Sequence, residues 1–212
     1  MKIIQTAIVQ NTQNYTDTND YRLVREMIYK AIQNMQNPAG SGTFLLRART
    51  PGVKKQAGHT VNGVNPIKTG FMEYLHTVAG WEFEERVTPT LGACDAVFHF
   101  PSGRKPFIVE WETGNISSTH RATNRILTAI LRNDASGGVV ILPSAKMYAH
   151  LTDRIGNFHE MEPYIDLYRR LDSLSTEPYF FGYVEIEQDG LSNSIDYLPG
   201  KIDGLAQISR QP

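Results

Sequence analysis

The chain has 212 residues, 41% of them hydrophobic and 20% charged, and its 21 basic and 22 acidic side chains leave a net charge of −1 with histidine neutral. That composition describes an ordinary folded domain with a sizeable core and excludes a disordered or collagenous chain. The near-neutral balance argues against a general nucleic-acid coat, though not against a specific binder with local charge. A single cysteine, Cys94, excludes an internal disulfide framework and points to a reducing, cytoplasmic setting. The start of the chain lacks the apolar run of a secretory leader, and no stretch approaches the roughly 20 apolar residues of a membrane span.

From Thr18 to Gln36, apolar residues recur at helical spacing (Tyr21, Val24, Met27, Ile28, Ala31, Ile32, Met35) and predict an amphipathic helix, ended by Asn37-Pro38-Ala39-Gly40. Thr43 to Ala48 is a candidate short strand. Between Thr43 and Lys68 the chain carries Arg47, Arg49, Lys54, Lys55 and Lys68 and no acid. Such a segment suits phosphate neutralisation and equally suits a solvated surface loop. Pro66 opens a second helix, to about Ala79, with Ile67, Phe71, Leu75 and Val78 on one face. Trp81 to Val87 alternates as a strand does, placing Glu82 and Glu84 on one face and Trp81, Phe83 and Glu85 on the other.

The segments Ala93 to Phe100 and Lys105 to Glu112 are rich in β-branched and aromatic residues and flank Pro101-Ser102-Gly103-Arg104, a hairpin signal. With Ser102-Gly103 as the loop, ungapped pairing puts Asp95 opposite Glu110. Alternation gives Phe107, Val109 and Trp111 one face and Ile108, Glu110 and Glu112 the other. Opposed residues share a face, with Cβ atoms roughly 4.5 to 5.5 Å apart. Three acids therefore share one side of a two-stranded ribbon, a repulsive arrangement that a divalent cation relieves. Carboxylate oxygens suit Mg²⁺ or Mn²⁺, and no zinc pattern competes, the six histidines being scattered. Hard cations of this kind serve phosphodiester hydrolysis.

Ser117 to Arg132 follows as a helix, with Asn115 or Ser117 as its N-cap and Ile126, Leu127, Ile130 and Leu131 as its apolar patch. Its first turns are polar, a start that can present donors to phosphates or base edges and can equally be a wet helix face. Gly138 to Leu142 is a continuous apolar run, as in a buried strand; Ser144 to Leu151 and Glu160 to Leu174 are helical; Tyr179 to Ile186 is a further strand; the tail from Gln188 is loop-like. With no internal repeat, the expectation is one mixed α/β domain over residues 1–212: a central, mostly antiparallel sheet with helices on both faces.

The string Glu110-Trp111-Glu112-Thr113-Gly114-Asn115-Ile116-Ser117-Ser118-Thr119-His120-Arg121 closely resembles the BamHI-like type II restriction endonucleases, with further likeness in Asn62–Lys68 and in Leu151-Thr152-Asp153-Arg154, Asn157-Phe158 and Glu162-Pro163-Tyr164. The likeness runs from about Asn62 to Tyr164; the first 60 residues match poorly. It implies the PD-(D/E)XK nuclease fold, with Asp95 and Glu110 as metal ligands and Glu112 at the position where most of that superfamily has lysine. It places the remaining active-site acid on Glu84 and adds the backbone carbonyl of Trp111 to the metal ligands. It puts base contacts on Asn115, Ser117, Arg121, Asp153 and Arg154, types chemically suited to base edges. The family's Pro-Lys-Gly-Ser-Asp-Gly appears as Pro199-Gly200-Lys201-Ile202-Asp203-Gly204, which leaves the minor-groove role of Asp203 in question. The implied protein is a Mg²⁺-dependent homodimer, with Mn²⁺ as substitute, that cuts double-stranded DNA at a palindrome containing GATC, GGATCC being the expected site. A glycosidase with paired carboxylates and a DNA-binding protein without cleavage are the rival classes.

Overall fold

The computed structural model describes residues 1–152, 155–171 and 174–200. In chain order the elements are β1 (Lys2–Asn11), a 3-10 turn (Thr12–Asp17), α1 (Asn19–Gln33), β2 (Leu45–Leu46), α2 (Asn65–Ala79), β3 (Glu82–Glu85), β4 (Cys94–Phe98), β5 (Phe107–Trp111), α3 (Ile116–Leu131), β6 (Gly137–Pro143), α4 (Ala145–Tyr148), α5 (Phe158–Arg169), β7 (Phe180–Glu187) and β8 (Gly190–Leu191). Six strands form one sheet in the order β1-β7-β6-β5-β4-β3, and β2 pairs with β8 in a small second one. Three of the five pairings in the large sheet are antiparallel; β5-β6 and β6-β7 are parallel. The expected mixed sheet with helices on both faces is therefore what forms.

Two helical layers cover the sheet. One face, carrying Phe107, Val109, Trp111, Val139 and Ile141, packs on α1 and α2 through Ile28, Ile32, Ile67, Phe71 and Leu75. The other, carrying Val97, Ile108, Val140 and Leu142, packs on α3 and α5 through Ile126, Ile130, Met161 and Ile165. All of β5 and β6 is buried, as expected for central strands enclosed by two layers. Helices α1, α3 and α5 each begin on a polar cap: Thr18 accepts from the Tyr21 N–H for α1, Asn115 from Ser118 for α3, and Asn157 from Glu160 for α5, whereas α2 starts after Val64 with Pro66 in its first turn and no side-chain cap. In α5 the cap is reciprocal, and it starts the helix at Phe158, ahead of the expected Glu160.

The hairpin register agrees with the sequence, because Ala96 pairs with Val109, Val97 with Ile108 and Phe98 with Phe107. Its loop is wider than two residues. The ladder stops at Phe98 and Phe107, and a turn in which Gly103 N donates to Phe100 O closes the end. The largest element that periodicity did not predict is β1, which extends the sheet against β7 with two register shifts. Val78 and Leu131, expected on apolar helix faces, are 66% and 60% exposed. Both sit in the last turn of their helices, and Val78 borders an open groove with Leu23, Met27 and Tyr74. The expected residues Asp153, Arg154 and Asp203 lie outside the described residues. Among the described residues no helix is long and apolar enough to cross a membrane.

Candidate active site

At one end of the central strands a cavity of about 200 Å³ opens between β4, β5 and the start of α3, lined by Lys68, Asp95, Glu110, Glu112, Arg121 and Arg125 among others. The β4–β5 register continued from Ala96↔Val109 sets Asp95 level with Glu110. Both carboxylates already have partners. Asp95 Oδ1 accepts from Lys68 Nζ at 2.6 Å, and its Oδ2 accepts from the Trp111 N–H at 2.8 Å. Glu110 Oε1 accepts from Arg125 Nη1 at 2.7 Å, and the same nitrogen donates to Ala93 O at 2.7 Å. Glu112 Oε1 accepts from the Gly114 N–H at 2.6 Å.

Two of the three acids are therefore paired with a cation of the protein itself. α2 supplies one cation and α3 the other, so two of the acids expected to need a metal counter-charge each have a side-chain cation as well. Among the described residues no group of three or more His, Cys, Asp or Glu side chains is gathered as it would be around an ion. Burial raises the Glu110 carboxyl well above the ordinary carboxylate range and the Asp95 charge raises it further, while Arg125 opposes both. Burial also raises Glu112, with the Gly114 N–H working against it. These are acids held where the charged form is costly unless a cation is near.

Glu84 stands apart. It is exposed and adopts φ 50°, left-handed backbone that a non-glycine residue rarely takes. The β3–β4 ladder pairs Phe83 with Ala96 and Glu85 with Cys94, which leaves Glu84 level with Asp95 but unpaired, and its side chain does not line the cavity. Lys68, read from sequence as a possible phosphate contact, points into the cavity at Asp95. Arg125 was visible only as one more polar residue on α3; its pairing with Glu110 is a long-range contact that periodicity carries no sign of.

The turn between β5 and α3 is held tightly. A Cβ on Gly114 would lie 2.5 Å from Ser118 Oγ and 3.0 Å from Glu112 Oε1, so only glycine lets the turn close here. Gly156 N donates to Gly114 O at 2.7 Å, and a Cβ on Gly156 would meet Thr119 Oγ1 at 2.2 Å. The loop before α5 is thus docked on the start of α3. Asn115, Ser117 and Arg121 are exposed at that start, and Arg121 Nη2 donates to Ser118 Oγ at 3.1 Å. His120 turns away, with Nδ1 3.0 Å from Tyr168 Oη and its ring edge-on to Tyr164.

A mixed sheet that carries acids on two adjacent central strands, beside a polar helix start, defines a nuclease of the restriction-endonuclease fold. The crystal structure of restriction endonuclease BglII complexed with a DNA 16-mer shares that fold at a TM-score of 0.64 and 11% identity, over 95% of this chain and 90% of that one. The chain belongs to the restriction endonuclease BamHI family, whose model matches residues 1–205. Type II restriction enzyme OkrAI from Oceanobacter kriegii is 38% identical over 188 residues, 87% of this chain and 89% of that enzyme. Type II restriction enzyme BamHI from Bacillus amyloliquefaciens is 29% identical over 181 residues, 81% of this chain and 77% of that enzyme. The match reaches well beyond Asn62–Tyr164, into the N-terminal region where the sequence showed little likeness.

Proposed function

We propose that this protein is a cytoplasmic, Mg²⁺-dependent type II site-specific deoxyribonuclease that cuts both strands of a palindrome containing GATC, with GGATCC as the target. The observation that carries the proposal is the juxtaposition of Asp95 and Glu110 on opposed positions of two buried strands, at the mouth of the cavity that the start of α3 also lines.

The donor set fits a hard divalent cation. It consists of carboxylate oxygens, in a place where burial makes an isolated carboxylate costly. Asp95 and Glu110, with the backbone carbonyl of Trp111, would hold the ion, joined by Glu84 only if its side chain, level with Asp95 but outside the cavity, turns inward, and Mn²⁺ would substitute for Mg²⁺. When bound, the cation supplies Lewis acidity toward the phosphate and makes water a better nucleophile. Glu112, fastened by Gly114, orients that water and takes up its proton, a task suited to a carboxyl already displaced upward. Lys68 and Arg125 pair with Asp95 and Glu110 in the free enzyme, and in the complex Lys68 would exchange that partner for a phosphate oxygen.

Asn115, Ser117, Arg121, Asp153 and Arg154 read base edges in the major groove. A palindrome calls for two related active sites, hence a two-fold homodimer. The outer surfaces of α3 and α5 suit that contact, since they leave Leu131, Tyr164 and Leu167 exposed.

Digestion of a fully sequenced plasmid, with mapping of the ends, tests the whole reading. The expected outcome is Mg²⁺-dependent double-strand breaks at one palindrome and nowhere else. Asp95→Asn should bind the same duplex and leave it intact. Site-selective binding in Ca²⁺ without nicking in Mg²⁺ or Mn²⁺ would instead identify a DNA-binding protein without nuclease activity, and scattered ends would remove the claim to specificity.

A further inference from the structure

The connection from β2 to α2 leads into the helix that carries Lys68 to the cavity, and it has a cluster of charge of its own. Residues 47–62 hold Arg47, Arg49, Lys54, Lys55 and His59 and no acid, in a chain of net charge −1. The segment is cross-braced. Thr50 N donates to Thr60 O at 3.1 Å, Gln56 N to Thr60 Oγ1 at 2.7 Å, Thr60 Oγ1 to Lys54 O at 2.9 Å and Gly58 N to Val61 O at 2.9 Å. Asn62, fully buried, fastens its base: the side-chain amide donates to Arg47 O at 2.8 Å and to His150 O at 2.9 Å. Arg49 N donates to His150 Nδ1 at 3.1 Å, and Lys55 Nζ lies 4.9 Å over the Tyr148 ring. The loop is thereby seated on the end of α4.

Within this braced loop the cations have unequal partners. Arg47 is tethered, donating to Ile195 O at 2.8 Å with its guanidinium 5.0 Å over the Tyr197 ring. Asp196 is the one acid in the 190–200 segment that backs the loop. Arg49 and Lys54 are exposed and make no ion pair among the described residues. Two unpaired cations on a fixed scaffold contribute nothing to folding through ion pairing. They are spread along the loop on either side of Thr50-Pro51-Gly52-Val53 instead of converging on a pocket. That arrangement suits a partner whose negative charge repeats along a line, and α2, which follows the segment, already places Lys68 in the candidate nuclease cavity.

We propose that the 47–62 loop docks on the DNA backbone outside the recognition sequence, with Arg49 and Lys54 each neutralising a phosphate of the flanking duplex. The proposal rests on the site-specific nuclease reading above and extends the contacted DNA beyond the palindrome. Neutralised phosphates release counterions, so each contact steepens the salt dependence of binding by a slope of about 0.9.

Fluorescence anisotropy in Ca²⁺ as a function of salt tests it, using the palindrome with flanks of about 2 base pairs, the palindrome with flanks of about 10, and a scrambled duplex of the longer length. Wild type should show a steeper slope on the long duplex than on the short one. The Arg49→Ala/Lys54→Ala variant should lose about 1.8 of slope on both long duplexes and none on the short one. Arg49→Lys/Lys54→Arg should restore wild-type behaviour, because charge and not side-chain identity makes the contact. An unchanged slope on the long duplexes, or an equal loss on the short one, overturns the proposal. If wild type does not prefer the palindrome to the scrambled duplex, the site-specific reading fails instead. The loop is still judged in that case, by the slope on the scrambled duplex.

Discussion

Two arginine–carboxylate bonds of the same length, 2.7 Å, mark opposite ends of the β4–β5 hairpin. At the turn end Arg104 pairs with Asp20, and its guanidinium also covers the Tyr15 ring at 5.2 Å. At the cavity end Arg125 pairs with Glu110. The bonds differ in their surroundings: the Asp20 side chain keeps 21% of its exposure and that of Glu110 only 5%. A partly solvated pair ties α1 to the hairpin turn at little electrostatic cost, since water screens both charges. The buried pair costs desolvation that its attraction only partly returns. Replacing such a pair by apolar residues need not weaken a fold, so stability alone does not account for a buried pair beside Asp95 and Glu112. Distance alone would rank the two bonds as equal; burial separates structure from chemistry.

The largest effect that should separate the two ends is on catalysis. Glu110→Gln removes a charge from the carboxylate set and should lower the cleavage rate by roughly 10³-fold or more, the several kcal/mol that a properly held ion supplies. Quantifying linearised plasmid at saturating enzyme measures it. Folding should survive, because glutamine keeps the shape and can still accept from Arg125. A rate within tenfold of wild type would take Glu110 out of the catalytic set.

Next in size is a stability effect. Arg125→Met leaves Glu110 buried without its cation, and breaking a buried pair from one side costs about 3 kcal/mol. Urea denaturation at pH 8 should show it, and the double variant with Glu110→Gln should recover most of it. The pH dependence follows from the raised Glu110 carboxyl. Its folded value lies above its unfolded one, so at intermediate pH the folded state keeps a proton that the unfolded state has released. Stability contributed in this way is present below the ordinary carboxylate range and is lost as pH rises through the elevated folded value. The chelated enzyme should therefore become less stable from pH 5 to pH 8, and more steeply so in Arg125→Met. Glu110→Gln should flatten the trend, and an unchanged slope in that variant would assign it to another group.

The cavity end was also where local pattern succeeded best and failed most instructively. Alternation and a Ser102-Gly103 pivot were enough to set Asp95 against Glu110, because strand register is a counting problem once the turn is found. The Asn115 cap was legible for the same reason, being local. Counting does not reveal which helix lies over a strand end, so the Lys68–Asp95 and Arg125–Glu110 pairs, 27 and 15 residues apart in sequence, stayed hidden. Nor does it reveal the left-handed backbone at Glu84, which a glutamate would not adopt by preference. β1 escaped because its burial does not alternate: next to β7 it follows two register shifts, and Ile4 and Ile8 remain exposed. The fold was thus readable in its central strands and helices, and least readable at the sheet edge.

The smallest predicted effect completes the contrast. Asp20→Ala breaks the turn-end pair and also removes the hydrogen bonds that Ser102 Oγ donates to that carboxylate at 3.3 Å. Arg104 stays on the Tyr15 ring and reaches solvent, since its side chain is 28% exposed. The cost should be no more than about 1 kcal/mol, as for other partly exposed pairs. Melting temperature and plasmid cleavage measured on the same preparation test both halves of the claim. A small shift in melting with unchanged cleavage means that the hairpin turn only anchors the strands. A loss of cleavage comparable to that of Glu110→Gln would mean that motion at the turn is transmitted along β4 and β5 to the carboxylates. The two ends of the hairpin would then act as one unit, and the separation drawn from their burial would fail.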